Sequence, residues 1–414
     1  MKYIVIGTGN RGSIYGNWAH ANGIEIAAVA ELRPDRLAEA GKRWNVPKNR
    51  QFSNVSDLFN LGKMADAAII ATMDRDHYGH VMQALDCGYD ILLEKPISPD
   101  PRECIAIEEK ANALGRKITV CHVLRYTNFF GTLKNIIDSG ELGKIVAIKH
   151  AENIGNFHMA HSFVRGNWRN DTLSSPIILQ KSCHDLDILL WLTGSHCKKV
   201  AAFGSLTYFK EKNAPAGSTD RCVTCSVAAN CRFEAKKCYL PTLGTWPTDV
   251  VCLEQTEAAL EAALESGPYG RCVYRCDNNV CDHMSIILEF DNEVTATFSL
   301  TAQTSPCQRN IHIMMEDGEI IADDSQRQIL VRKHVSSNAD TFQERVINVR
   351  TNASGHGGGD AGIMEDFTGS LTAGAQTRSA ISASVESHLM ACAIEKSRIT
   401  GKVVELEEFR NSLR

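Results

Sequence analysis

The sequence predicts an α/β protein of two parts: a doubly wound parallel sheet in residues 1–124, and an α+β part with a large, mostly antiparallel open sheet in residues 125–414. Two observations lead to this prediction. In the first part, short apolar strands alternate with helical segments, which is typical of a parallel sheet covered by helices on both faces. From residue 145 onward, strand-like segments follow one another with few helices between them, which indicates antiparallel pairing.

Composition limits the classes of function. The chain has 414 residues, and 44 Lys and Arg residues against 49 Asp and Glu residues leave a net charge of −5. This balance provides no basic surface for phosphates, so we expect a small-molecule partner and no nucleic acid. We find neither a signal peptide at the amino terminus nor an uncharged apolar run of about 18 residues. We therefore expect a cytoplasmic protein without membrane contact.

The first strand, Lys2 to Ile6, is followed by a glycine turn, and a helical segment then leads to a second strand, Ile24 to Ala30. The turn Gly7-Thr8-Gly9-Asn10-Arg11-Gly12 matches the GxGxxG pattern of dinucleotide-binding (Rossmann) domains. Glycines let the backbone approach a pyrophosphate, and the N–H groups and dipole of the following helix stabilise its negative charge. We expect the dinucleotide to be bound by Gly7, Gly9, Asn10, Arg11, Gly12 and Glu31.

Glu31 ends the second strand, where the dinucleotide fingerprint places an acid. Its carboxylate would accept hydrogen bonds from the adenosine ribose diol and would repel a 2′-phosphate, which favours NAD over NADP. Arg33, two residues later, is placed to bind that phosphate instead, so NADP stays open as the alternative.

The following segments complete the parallel sheet. The pattern predicts strands over 67–72, 90–93 and 117–123, with helices over 77–86 and 102–114 between them. The strand over 90–93 ends in Glu94-Lys95-Pro96. Because ligands of such sheets bind outside the carboxyl ends of the strands, we expect this turn to face the cofactor.

The second part begins after residue 124. Strands are predicted over 146–150, 200–208, 284–290, 294–300 and 311–316. A segment over 213–249, rich in Cys, Pro and Thr, is expected to be an insertion carried by this sheet. The tail from His356 is predicted to be helical, with a hinge at three consecutive glycines.

Several spaced motifs resemble one known family. They are the glycine turn, Ala71-Thr72 with His77, Glu94-Lys95-Pro96, Leu124-Arg125-Tyr126 and Cys183-His184-Asp185-Leu186-Asp187. In this order, and over nearly the whole chain, they resemble the Gfo/Idh/MocA oxidoreductases, the family of glucose-fructose oxidoreductase and inositol dehydrogenase. The segments 267–274 and 355–360 further resemble a subgroup of uncharacterised members.

The resemblance implies an NAD-binding Rossmann domain and a carboxy-terminal domain whose open sheet forms the interface of a homodimer or homotetramer. Members of this family usually oxidise or reduce a secondary hydroxyl or ketone of a sugar, glycoside or cyclitol. Some use tightly bound NAD for transient oxidation, elimination and re-reduction in glycoside cleavage. We expect the oxidoreductase activity and keep the glycoside hydrolase or lyase reaction as the alternative.

The resemblance places Lys95 at the reacting hydroxyl and Glu94 at the nicotinamide ribose. Hydride transfer from a secondary alcohol requires a base within hydrogen-bond reach of the hydroxyl. Lysine is a poor base at its free pKa of about 10.4, but burial and the positive charge of oxidised nicotinamide favour its neutral form. His184, with an ordinary pKa of about 6.5, is the second candidate. The presence of both residues disfavours a third hypothesis, a non-catalytic dinucleotide sensor.

The chain departs from the dehydrogenase pattern four residues before His184. Inositol dehydrogenase-like members have Asp there, whereas this chain has Gln180, so the Asp–His relay is absent. The adjacent Lys181 is expected to supply a second cationic or basic group. Asp185 and Asp187 are expected to be structural, near a helix amino terminus and as a buried partner.

Other residues are expected to line the site. An indole packs against the apolar face of a sugar ring, and a guanidinium binds hydroxyls with paired N–H groups, so Trp168 and Arg169 are candidates. The predicted cofactor contacts also include Thr72, His77, Glu94, Lys95, Trp168 and Arg169. The predicted substrate contacts are Lys95, Tyr126, Lys181, His184, His356 and Asp360, of which Lys95, His184 and Lys181 are the catalytic candidates.

The chain has 15 cysteines, and eight of them lie in residues 222–281. They begin with Cys222-x2-Cys225, a spacing used by thiolate metal sites. The subgroup resemblance includes Cys222, Cys225, Cys231 and Cys272, which are therefore the candidate ligands of a structural zinc ion. Because a second CxxC at the usual spacing is missing, a loop of reduced or redox-labile thiols stays open as the alternative.

Overall fold

The computed structural model of the protein describes residues 1–336, 341–350 and 355–414. Its first sheet has six strands, all parallel, in the order β3-β2-β1-β4-β5-β6. They are β1 (Lys2–Ile6), β2 (Glu25–Ala30), β3 (Gln51–Phe52), β4 (Ala67–Ile70), β5 (Asp90–Leu93) and β6 (Ile118–Val120). This strand order reverses direction between β1 and β4, which creates the crevice where dinucleotides bind in such sheets. The predicted doubly wound parallel sheet is confirmed.

Five helices connect these strands. They are α1 (Asn10–Ala21), α2 (Pro34–Arg43), α3 (Val55–Phe59), α4 (His77–Asp86) and α5 (Pro101–Ala113). Successive side chains of a strand point to opposite faces, so Ile4 and Ile6 enter one apolar core whereas Tyr3 and Val5 enter another. Burial on both faces explains why the strands are nearly continuous apolar runs.

The second sheet has nine strands in the order β14-β13-β12-β11-β7-β10-β9-β8-β15. The strands are β7 (Ile145–Asn153), β8 (Cys197–Ser205), β9 (His283–Phe290), β10 (Thr295–Thr301), β11 (Gln308–Met315), β12 (Gly318–Asp323), β13 (Gln328–His334), β14 (Phe342–Asn348) and β15 (Val404–Glu405). The sheet is mostly antiparallel, as predicted, but its central pair, β7 and β10, is parallel, with Ala151 opposite Ser299.

One face of this sheet is covered and the other is open. In β9, Met284, Ile286 and Leu288 are buried, whereas the side chains between them are exposed. The helices of this part are α6 (Asn128–Asp138), α7 (Asn156–His158), α8 (Ile177–Gln180), α9 (Cys183–Thr193), α10 (Ala235–Tyr239), α11 (Thr248–Val251), α12 (Glu257–Ser266), α13 (Gly359–Ala373), α14 (Ile381–Thr400) and α15 (Leu406–Asn411). Among the described residues, none of the helices combines the length and the apolar character needed to cross a membrane.

The chain between β8 and β9 covers residues 206–282, a longer excursion than the predicted insertion over 213–249. The carboxy-terminal tail returns to the first sheet, where the Val120 N–H donates to the Ser379 carbonyl at 2.9 Å. The Phe367 ring also lies 5.9 Å from the ring of Tyr3. The proposed boundary between residues 124 and 125 stays a prediction.

Candidate active site

The glycine turn after β1 is too tight for side chains at two positions. Gly7 has φ +84°, and a Cβ there would lie 2.6 Å from the Ala71 carbonyl oxygen. A Cβ on Gly12 would lie 1.9 Å from the Gly7 carbonyl oxygen. Gly9 instead faces open space, with only the Arg36 side chain within 4 Å. The turn therefore presents bare backbone at the start of α1, whose first turn has neither an acidic residue nor a side-chain cap.

Glu31 lies beside this turn at the end of β2. Its carboxylate accepts hydrogen bonds from the Thr8 N–H at 2.8 Å and from the Arg33 N–H at 3.0 Å. The Arg33 guanidinium is paired with Asp35 at 2.6 Å. Backbone N–H groups thus hold the Glu31 carboxylate where the adenosine ribose of NAD is expected. Arg33, which was predicted to bind the 2′-phosphate of NADP, is instead paired with Asp35. These residues fit an NAD molecule.

Arg11 turns away from the predicted pyrophosphate position. Its Nε donates to Glu94 at 2.7 Å, its Nη2 donates to Asp360 at 2.7 Å, and it also contacts the Tyr15 hydroxyl. Burial alone would raise the pKa of Glu94, but Arg11 and Lys95 outweigh it and lower that pKa. Likewise, His356 and Arg11 outweigh burial and lower the pKa of Asp360. Residues predicted for separate roles therefore form one charged network between the glycine turn and the tail.

His77 is buried, and its ring nitrogens face the carbonyl oxygens of Pro96 at 2.8 Å and Thr72 at 3.2 Å. The Thr72 hydroxyl is 3.1 Å from His80 Nδ1. In this arrangement, His77 connects the turns that follow β4 and β5. Its predicted contact with the cofactor stays a prediction.

Lys95 projects from the carboxyl end of β5 towards the second part of the chain. Its Nζ donates to the Gln180 carbonyl oxygen at 2.8 Å and to Gln180 Oε1 at 3.1 Å. Gln180, which stands where related dehydrogenases have Asp, is 4% exposed. Two uncharged oxygens of Gln180 therefore bind the Lys95 ammonium group. Among the described residues, no carboxylate forms an ion pair with Lys95.

His184 lies in the first turn of α9, and its buried Nδ1 has no hydrogen-bond partner among the described residues. Burial lowers the pKa of His184 well below its ordinary value, and the nearby Lys95 and His122 lower it further. This shift favours the neutral form of the imidazole. His122 lies edge-on at 5.7 Å from His184 and at 5.7 Å from His388.

This row of three histidines was not predicted from the sequence, because residues 122, 184 and 388 belong to three distant segments. His388 Nε2 accepts a hydrogen bond from the Ile97 N–H at 2.8 Å, and its Nδ1 donates to the Ser384 carbonyl at 2.7 Å. Burial first, and then His122, lower the pKa of His388 to about 3. His388 therefore ties α14 to the turn that carries Lys95.

Lys181 forms an ion pair with the buried carboxylate of Glu152, at 3.1 Å between Nζ and Oε1. Arg309 contacts Glu152 at 2.7 Å and Asp185 at 2.8 Å. Burial raises the pKa of Glu152 to about 7, although Arg309 opposes this effect. At Asp185, Arg309 and His150 outweigh burial and hold the pKa well below its ordinary value. Sequence reasoning found Lys181 but missed Glu152 and Arg309, which come from the central strands of the second sheet.

Other predicted contacts have partners elsewhere. The Tyr126 hydroxyl donates to Asp366 at 2.8 Å, and Arg169 pairs with Asp277 at 2.7 Å. Trp168 is half-buried with its ring 6.1 Å from that of Phe163. Their predicted ligand contacts stay predictions. The side chain of His356 is 45% exposed and close to Asp360 at 3.2 Å.

The predicted zinc ligands Cys222, Cys225, Cys231 and Cys272 line one small cavity that is partly open to solvent. A single tetrahedral zinc ion needs its thiolates at about 2.3 Å. Within residues 1–336, 341–350 and 355–414, no three His, Cys, Asp or Glu side chains form a group that would hold a metal ion. The structure therefore does not support the zinc prediction. All 15 cysteines are free thiols.

Comparison with known proteins agrees with this architecture. The model of the oxidoreductase family with an NAD-binding Rossmann fold matches residues 1–122, and the model of its C-terminal alpha/beta domain matches residues 134–406. The oxidoreductase YteT of Bacillus subtilis is 24% identical over 361 residues, which cover 83% of this chain and 82% of YteT.

More specific relatives match a smaller share. Inositol 2-dehydrogenase of Pseudarthrobacter chlorophenolicus is 28% identical over 224 residues, 53% of this chain and 61% of that enzyme. A solved structure of levoglucosan dehydrogenase with NADH and levoglucosan superposes with a TM-score of 0.72 at 15% identity, over 98% of this chain and 99% of that one. At that identity the likeness concerns the fold. The two family models, which together span most of the sequence, establish that the chain belongs to the Gfo/Idh/MocA family of NAD-binding oxidoreductases.

Proposed function

We propose that the protein is an NAD-dependent dehydrogenase that transfers a hydride to or from a secondary hydroxyl or ketone of a sugar, glycoside or cyclitol. The observation that carries this proposal is the position of Lys95. It projects from the cofactor-binding sheet, is held by Gln180, and lies close enough to the neutral His184 to lower the pKa of that imidazole. A cation and a proton acceptor are thus available beside the cofactor crevice.

In the oxidation direction, bound NAD supplies the acceptor for the hydride. The Lys95 ammonium binds the reacting hydroxyl and stabilises the negative charge that develops on its oxygen. His184 accepts the hydroxyl proton as the C–H bond breaks and the C=O bond forms. In the reduction direction, His184 in its protonated form returns that proton to the oxygen.

Two observations support a polyhydroxylated substrate. The named relatives include inositol 2-dehydrogenases, and a fold neighbour was solved with levoglucosan, so both proteins act on rings with several hydroxyls. In this chain, Lys181, Glu152 and Arg309 place donors and acceptors beside Gln180 and Asp185, where they suit several hydroxyl groups.

A second candidate function is glycoside cleavage through transient oxidation. In that reaction, ketone formation acidifies the neighbouring C–H, a base removes its proton, and the C–O bond to the leaving group breaks with protonation of the leaving oxygen. In a hydrolase, water then adds to the resulting C=C bond. The hydride finally returns to the ketone carbon while the ketone oxygen takes up a proton. Such a sequence needs a second acid–base group besides His184. Glu152, with a pKa of about 7 and an ion pair to Lys181, favours this candidate.

One experiment separates the two functions. The purified protein is incubated with NAD and a panel of cyclitols, free sugars and aryl glycosides, and NADH and released aglycone are measured together. Net NADH formation from a cyclitol or free sugar supports the dehydrogenase, and aglycone release without net NADH supports the cleavage reaction. The absence of both, together with no NADH oxidation by the matching ketones, would contradict both functions. The Lys95→Ala variant controls for contaminating enzymes.

We also propose that the protein forms a homodimer or homotetramer through the open face of the nine-stranded sheet. That face exposes Phe203 at 73% and Ile287 at 59%, which is unusual for large apolar side chains in a monomer. Ile287→Lys should reduce the molar mass measured by light scattering to that of a single chain. A wild-type protein that is monomeric at micromolar concentration would exclude this part of the proposal.

A further inference from the structure

The excursion between β8 and β9 brings four thiols from two distant segments to one place. Cys222, Cys225 and Cys231 lie on consecutive short turns, whereas Cys272 is about 40 residues away in sequence. All four line the same cavity.

Among the described residues, two arginines beside the cavity, Arg165 and Arg221, have no carboxylate partner. Arg165 is 1% exposed, and its guanidinium donates to the Arg271 carbonyl at 2.7 Å, the Phe233 carbonyl at 2.7 Å and Cys222 Sγ at 3.4 Å. Within the described part of the chain, Arg165 forms no ion pair with Asp or Glu. A buried charge without a counter-ion is costly, so an anionic group next to Arg165 is expected.

Arg221 lines the same cavity. Its Nη2 donates to the carbonyl oxygens of Leu264 at 2.8 Å and Gly267 at 2.6 Å, and its buried Nε has no hydrogen-bond partner among the residues described. The one carboxylate at the cavity, Glu234, accepts from the backbone N–H groups of Lys236 and Lys237 and so caps α10. Glu234 therefore serves as a helix cap and is not an ion-pair partner of Arg165 or Arg221 among the described residues.

We propose that Cys222, Cys225, Cys231 and Cys272 hold an iron–sulfur cluster. Two-iron and four-iron clusters both take four cysteine thiolates, and each thiol loses its proton when its sulfur binds iron. The cluster explains why the four thiols surround a shared cavity without forming a single-ion site, because its metal and sulfide core keeps the ligands farther apart than one zinc ion does. Arg165 then supplies a hydrogen bond to a ligand sulfur and a balancing charge.

The cluster would join the excursion to the rest of the second part. Arg221 and Arg271, which directly precede Cys222 and Cys272, form an isolated antiparallel β-bridge. Arg165 is the last residue of the π-helix Met159–Arg165, which follows α7. A cluster at this point would tie three separate segments together. This inference does not depend on the substrate or on the reaction proposed above.

The test is the metal content of the full-length protein, purified without oxygen and without chelator. Iron, zinc and acid-labile sulfide are counted per chain, and an electron paramagnetic resonance spectrum is recorded after reduction with dithionite. The expected result is two to four iron atoms with an equal number of sulfides. If the isolated protein is low in iron, the same counts are repeated after anaerobic reconstitution with ferrous iron and sulfide. About one zinc per chain without iron, or no iron after reconstitution, would overturn the proposal.

A matched pair of variants locates the site. Cys225→Ser removes a proposed ligand, and its iron content should fall to less than a tenth of the wild-type value. Cys238→Ser changes a cysteine of the same excursion that does not line the cavity, and its iron content should equal that of the wild type. Equal iron in both variants would show that the metal lies elsewhere. If Cys225→Ser does not fold, the wild-type iron and sulfide counts still decide.

Discussion

The cofactor side and the proton-transfer side of the site are built in different ways. The cofactor side comes from one strand, one turn and one helix, and the Thr8–Glu31 contact that completes it joins residues 23 positions apart. The proton-transfer side joins Lys95, Gln180, His184, Glu152 and Arg309, which no short motif contains. The residues expected to bind NAD are therefore close together in sequence, whereas the acid–base groups come together only when the two sheets pack.

The two sides should also respond differently to mutation. The glycine turn works through bare backbone, so added side-chain atoms damage it. The proposed proton-transfer side consists of buried titratable groups whose pKa values depend on their neighbours, so removal of one charged group should change the others. Variants of the first kind should impair binding, and variants of the second kind should impair turnover.

The largest effect is expected for Lys95→Ala. Loss of the ammonium removes the group that binds the reacting hydroxyl, so kcat should fall by about 100- to 10,000-fold. NAD affinity, measured by fluorescence titration, should stay at the wild-type value, because the glycine turn and Glu31 are untouched. Lys42→Ala, at an exposed position on α2, is the control and should keep full activity. A Lys95→Ala variant that retains wild-type turnover would exclude the proposed role.

Gly7→Ala should instead weaken the binding of NAD at the glycine turn. The new Cβ would lie 2.6 Å from the Ala71 carbonyl oxygen, and the backbone at φ +84° is strained for alanine. We expect the Kd of NAD to rise about tenfold to a hundredfold, equivalent to ~1.4–2.8 kcal/mol. Gly88→Ala is a matched control, because Gly88 has φ +79° but no atom near its absent Cβ. If both variants bind NAD equally well, the turn does not determine the affinity.

Glu152→Gln tests the proton-transfer side through the pH dependence of kcat. The carboxyl group with a pKa of about 7 should produce an inflection near pH 7 in the kcat profile of the wild type. Below that pH the protonated carboxyl no longer balances Lys181 and Arg309, so we expect activity to rise with pH through this range. The Gln variant should lack the inflection and lose about tenfold in kcat, a typical loss for a group acting on proton transfer indirectly. Glu265→Gln, on the exposed end of α12, is the control, and an unchanged profile in Glu152→Gln would count against the assignment.

The smallest effect concerns stability in acid. His388 has a folded-state pKa of about 3, below its ordinary value, so the unfolded chain binds more protons between about pH 6.5 and 3. The stabilisation is full above pH 6.5 and is lost as pH falls, by about 1.4 kcal/mol of unfolding free energy per pH unit for one such group. Urea unfolding of the wild type and of His388→Gln at pH 7 and 5.5 should show a shallower loss in the variant, by ~1 kcal/mol. Equal slopes would show that His388 is not held neutral by the fold.

Sequence reasoning recovered what is determined locally. The alternation of apolar strands and helices predicted the parallel sheet, and the glycine turn with Glu31 was placed correctly at its carboxyl edge. Five strands of the second sheet, β7 to β11, were also predicted, because one buried face imposes a period of two on each strand, whereas β12 to β15 were not predicted. The parallel pairing of β7 with β10 was not predicted, since it joins segments almost 150 residues apart.

Side-chain partners in the site were harder to predict. A motif names Arg11, but only the folded chain shows that Glu94 and Asp360 bind its guanidinium. Glu152 and Arg309 lie within strands, where nothing in the local pattern distinguishes a buried charged residue from a solvent-facing one. The cysteine spacing likewise identified a cluster, but only the folded chain shows that Cys272 lines the same cavity as Cys222, Cys225 and Cys231.

The central claim is that this chain moves a hydride between a secondary carbinol carbon and NAD. The direct test uses cyclitols and sugars labelled with deuterium at each secondary carbon in turn, with mass spectrometry of the nucleotide recovered after a single turnover. We predict NADH that carries one deuterium from one labelled position, and no labelled NADH with Lys95→Ala. The absence of labelled nucleotide from every substrate, under conditions in which NAD is bound, would contradict the account.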